Sequence, residues 1–140
     1  MTNTWLAAGG AISLGASLLH VAIIFGGPNW YRYFGAGEEI ARMAEEGRWR
    51  PAIITALVAA GLALFALYAF SGAGLVSPLP LLGSALCVIT AIYTLRGLAY
   101  PVFKLTNSEF ATPFFLWSSI ICLIAGAVHG IGLAQIWAKI

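Results

Sequence analysis

The chain has 140 residues, of which 61% are hydrophobic and only 9% charged, and its mean hydropathy is +0.92. Soluble domains carry about 25% charged residues, so this composition excludes a soluble globular protein and implies an integral membrane one. The net charge of +2 is too small, and its carriers too dispersed, for nucleic-acid binding.

The first apolar stretch covers about residues 5–25, broken only by small residues and His20. At 1.5 Å rise, about 20 residues cross a hydrocarbon core of about 30 Å. Met1-Thr2-Asn3-Thr4 lacks the basic region of a secretory signal, so this stretch is expected to stay as a helix. Further spans are expected at about 51–70, 79–100 and 113–137, with Pro51 and Pro113 suited to first helical turns. The prediction is an all-α four-helix transmembrane bundle, a single membrane domain over residues 1–140.

Residues 26–50 form the one long connection. Its aromatic run Trp30-Tyr31-Arg32-Tyr33-Phe34 suits the headgroup level. Glu38, Arg42, Glu46 and Arg50 then follow at i,i+4, which predicts an interfacial amphipathic helix laced by an alternating-sign ladder. Four spans put both termini on one side. Arg32, Arg42, Arg48, Arg50 and Lys104 fall on the other, so loops 26–50 and 101–112 are expected in the cytoplasm and the termini in the periplasm of a bacterial inner membrane.

Small residues drive helix association in lipid. Gly9, Ser13, Ser17 and His20 share one face of the first span, and Ser119, Cys122, Gly126, His129 and Gly130 one face of the fourth. Both histidines should therefore meet other helices, and the same faces could join copies of the chain. The expected depths of His20 and His129 differ by about eight residues, roughly 12 Å, which disfavours one haem held by both. Haem with a single or shared histidine stays open as the cofactor alternative. No metal-ligand cluster, nucleophile elbow, P-loop or HExxH occurs. Cys87 and Cys122 are isolated and read as packing residues.

Arg96 stands near the end of the third span, where a guanidinium is costly and needs a partner: a loop glutamate, helix-end carbonyls or a lipid phosphate. Tyr93, Arg96 and Tyr100 share a face, Trp117 and Ser118 enter at a similar level, and the Glu38/Glu39 pair lies just outside. One reading is a polar pocket of His20, Trp30, Tyr31, Glu38, Tyr93, Arg96, Tyr100 and Trp117 that binds, and could process, an amphiphile such as a lipid or quinone. The other is an arginine snorkelling to the headgroups beside a packing histidine. A small-solute transporter or channel built as an oligomer, and an accessory subunit of a larger complex, are the further classes.

The stretch His20–Glu38, HVAIIFGGPNWYRYFGAGE, with LRGLAY around Arg96, resembles an uncharacterised family of small four-helix integral membrane proteins of proteobacteria. The resemblance implies the four-span fold over essentially the whole chain and carries no activity. A looser likeness to DoxX-like proteins rests on size and span number alone.

Overall fold

The computed structural model describes residues 2–107, 109 and 111–140. Its elements are α1 (Thr4–Gly26), α2 (Pro28–Tyr33), α3 (Glu38–Glu45), α4 (Arg50–Gly72), α5 (Leu82–Thr106) and α6 (Pro113–Ile136), followed by a 3-10 turn at Trp137–Lys139. No strand occurs among the described residues. The four long helices, α1, α4, α5 and α6, are each long and apolar enough to cross a membrane, and the protein is an all-α integral membrane protein.

The expected span boundaries hold closely except for the third. It was expected over 79–100 but runs Leu82–Thr106. Its start is delayed because Pro80 biases Leu79 away from helical backbone and Leu81 takes a left-handed φ of 55°. Its end lies beyond Pro101, which the helix absorbs. Arg96 consequently lies ten residues before the helix end (106 minus 96) instead of four before a span end.

The packing divides the chain into two compact units. One comprises residues up to Ser13 together with Phe65–Ile140, and within it segments of all four long helices form a bundle. Asn3 caps α1, its Oδ1 accepting from Leu6 N at 2.9 Å, and its Nδ2 donates to Gly132 O of α6 at 3.1 Å and to Gln135 Oε1 at 3.0 Å. Thr112 caps α6 by accepting from Phe115 N at 3.1 Å. Ser71 closes the α4–α5 connection, its hydroxyl donating to Ser77 O and accepting from Leu79 N, both at 3.0 Å.

The helices approach each other at glycines. A Cβ on Gly97 of α5 would stand 2.5 Å from Leu123 Cγ and 2.9 Å from Leu123 N of α6, and one on Gly126 of α6 would stand 2.7 Å from Thr94 Oγ1 of α5. Within this unit Gly9 lies against the His129 ring, and Ser13 hydrogen-bonds Tyr93. Cys87, expected to pack, is exposed on α5, while Cys122 is half-buried.

The second unit, Leu14–Leu64, holds the rest of α1, both short helices and the first part of α4. Ser17 Oγ donates to Ala59 O at 2.7 Å, joining α1 to α4. Gly27, at φ 69°, ends α1, and Pro28 opens α2. Ile23, Tyr31 and Ala41 form a small core against which Phe34, Ile40 and Ala44 pack. The i,i+4 ladder is largely replaced by a different network. Gly35 and Gly37, both at positive φ, turn the chain so that Arg32 lies over α3 and donates to Glu38 and Glu45 at 2.7 Å each. Arg42 and Glu46 reach only 4.0 Å, and Glu46 instead pairs with Arg48 at 2.7 Å.

Hydrogen bonds from Arg32 hold the Glu38 and Glu45 carboxyls below their ordinary value of 4.5, and the same bonds raise Arg32. A carboxylate with a lowered folded pKa stabilises above its unfolded value and loses that contribution as pH falls through the folded one. The α2–α3 segment should therefore be indifferent to pH from about 7 to about 5 and loosen only below the ordinary carboxylate range. Amide chemical shifts of Glu38–Glu45 in micelles would follow this. The groups are solvent-exposed, so salt should reduce the effect. Shifts that stay fixed once both carboxyls have protonated would rule out the Arg32 clasp as what holds α3.

Candidate functional site

In the Leu14–Leu64 unit, α1 brings His20 and Ile23, α2 brings Tyr31, and α4 brings Thr55 and Val58 to a cavity of about 270 Å³. Its walls are otherwise apolar, with Phe34, Ile40 and Ile54 among them. The Nδ1 of His20 lies 2.7 Å from Ala16 O. A carbonyl can only accept, so Nδ1 carries the proton, and in the neutral imidazole Nε2 is the acceptor. Tyr31 is 3% exposed, and its hydroxyl is buried with no hydrogen-bond partner among the described residues. Leaving a hydroxyl unpaired in such a place costs about 1–3 kcal/mol.

Two of the four expected site residues in this unit therefore share the cavity, His20 and Tyr31. Trp30 lines a shallow groove with Asn29, Tyr33 and Phe34, and Glu38 is taken by Arg32. Thr55 was not anticipated. Its signal was available, since it is the single polar side chain between Pro51 and Leu67.

In the four-helix unit the expected residues fall into two groups. Arg96 Nη1 donates to Ser119 Oγ and Nη2 to Ser118 Oγ, both at 3.0 Å, and the guanidinium carbon lies 4.3 Å from the centre of the Phe115 ring. Tyr100 rests on the same ring, centroids 6.0 Å apart. Among the described residues Arg96 has no carboxylate within ion-pair distance. Tyr93 faces elsewhere. Its hydroxyl is 2.8 Å from Ser13 Oγ, and its ring lies 5.3 Å from that of His129. His129 is fully buried, with Nδ1 2.8 Å from Ala125 O and no partner for Nε2 among the described residues. Trp117 is 64% exposed.

Among the described residues no group of three His, Cys, Asp or Glu is placed to hold a metal ion. Fold and composition together define a four-span α-helical membrane protein. Comparison with protein-family models, curated proteins and solved structures returned no match for the chain.

Proposed function

We propose that the His20–Tyr31 cavity receives the oxygen-bearing head of an amphiphile such as a lipid or quinone, whose tail stays in the bilayer. The observation that carries this reading is Tyr31, which lines a largely apolar cavity and whose hydroxyl is buried with no hydrogen-bond partner among the described residues. A ligand oxygen would satisfy it. The pair is complementary in sense: Tyr31 donates to a carbonyl, while His20 Nε2 accepts from a hydroxyl. At about 270 Å³ the cavity is below the usual 300–1,000 Å³ of drug-sized sites, which fits a head group and not a whole amphiphile. The basic residues of the 26–50 connection favour a cytoplasmic position for it in a bacterial inner membrane.

Tyr31→Phe removes the hydroxyl and keeps the ring. Titration of the purified protein with a short-chain benzoquinone, read by tryptophan quenching, should show about tenfold weaker binding in the variant, the equivalent of one hydrogen bond of about 1.4 kcal/mol. Organic extraction and mass spectrometry of gently purified protein would identify a retained lipid. Equal quinone affinity in the variant, with no retained amphiphile in the wild type, would sink the reading.

A further inference from the structure

We infer that Arg96, with Tyr100, is a receptor for an oxyanion, the phosphate or carboxylate of an anionic amphiphile or the same group free in solution. This site lies wholly within the four-helix unit and stands independently of the His20–Tyr31 cavity. Among the described residues Arg96 has no charged partner, and it stands on a helix apolar enough to span a membrane. Its two recorded hydrogen-bond partners, Ser118 and Ser119, are neutral, and Phe115 offers only the negative face of a ring. The carboxylates that form ion pairs serve other cations: Glu38 and Glu45 serve Arg32, while Glu46 serves Arg42 and Arg48.

The partners also leave the guanidinium aimed. A guanidinium has five N–H donors in a rigid fork. The serines take one from each terminal nitrogen, so Nε–H and one N–H on each terminal nitrogen remain. Buried Ser119 and the Phe115 ring fix the plane, which spares an incoming ligand the cost of ordering a long side chain. Tyr100, one turn further along α5, touches the same ring, and its hydroxyl makes no hydrogen bond among the described residues. A fixed fork and a free hydroxyl around one aromatic platform suit the adjacent oxygens of a phosphate or carboxylate. A lysine could offer the charge and not the fork.

The test uses the full chain, delipidated in neutral detergent and exposed to phosphatidylglycerol, to zwitterionic phosphatidylcholine or to inorganic phosphate, with bound species counted by native mass spectrometry. The wild type should retain phosphatidylglycerol at least tenfold over phosphatidylcholine. Arg96→Gln, which keeps a polar side chain and removes the charge, should abolish that preference. Arg96→Lys should keep only part of it, and Tyr100→Phe, which removes one oxygen, should weaken it about threefold. Binding of inorganic phosphate that competes with the lipid would assign the site to the free anion; failure to compete would assign it to the lipid. A wild type without preference among the three probes overturns the inference. So does a folded Arg96→Gln that binds as the wild type does. Should Arg96→Gln not fold, an unaltered preference in both Arg96→Lys and Tyr100→Phe overturns it as well.

Discussion

Gly97→Ala should destabilise the protein by about 1–3 kcal/mol, although alanine is the better helix former by about 1 kcal/mol. The reason is what the new methyl would meet. Leu123 Cγ would lie at 2.5 Å and Leu123 Cδ2 at 2.7 Å, and the Leu123 backbone nitrogen at 2.9 Å cannot swing aside. Relief requires α5 and α6 to move apart, and that loosens the Arg96 bonds to Ser118 and Ser119 one residue away. Gly130→Ala is the matched control. Its Cβ would find only Thr90 Cγ2 at 3.4 Å, an ordinary contact, so it should melt no lower than the wild type. Thermal unfolding in detergent, followed by circular dichroism, separates the two. Equal melting of both variants would refute the close approach of the helices at Gly97.

Asn3→Ala should cost about 1–2 kcal/mol, because one short side chain performs two tasks. Its carbonyl oxygen caps α1, and its amide ties that end to Gly132 and Gln135 of α6. Asn3→Asp dissects them. The carboxylate keeps the capping acceptor, and suits the positive end of the helix, while losing the donor to α6. It should therefore fall between wild type and alanine, nearer the wild type if the cap dominates. An alanine variant that unfolds with the wild type would show that neither task matters.

The four spans were legible because twenty apolar residues admit few other structures, and because Pro51 and Pro113 are favoured in first helical turns. The third span was misplaced at both ends by prolines whose effects differ with position. Pro80 precedes a left-handed Leu81 and delays the helix, whereas Pro101 sits inside the last turns and is tolerated. Periodicity placed Glu38, Arg42 and Glu46 on one face of a helix, and it could not show that two positive-φ glycines bring Arg32 onto that helix first. The cost of Arg96 was readable from its position. Ser118 could be placed near its depth, but the bonds from Arg96 to Ser118 and Ser119 could not be read, since these hydroxyls look like ordinary small residues of a packing face until α6 is set against α5. Tyr93 and Tyr100 share a face of α5 by spacing, yet one turns to Ser13 and His129 and the other to Phe115. Helical periodicity assigns a face, and the neighbour that face meets depends on the other helices.

Pro101 carries no N–H to offer the carbonyl four residues back, which belongs to Gly97. Everything from Pro101 to Thr106 is exposed, with the Phe103 ring resting edge-on against Phe115. The closing stretch of α5 is thus an overhang beyond a clamp, joined to it where one rung of the helical ladder is missing. Twenty-five residues rise about 37 Å, more than the hydrocarbon of a typical bilayer. The surplus can be accommodated by bending this overhang toward the headgroups, with Lys104 at its outer end, so that a thinner membrane need not tilt the clamped helices.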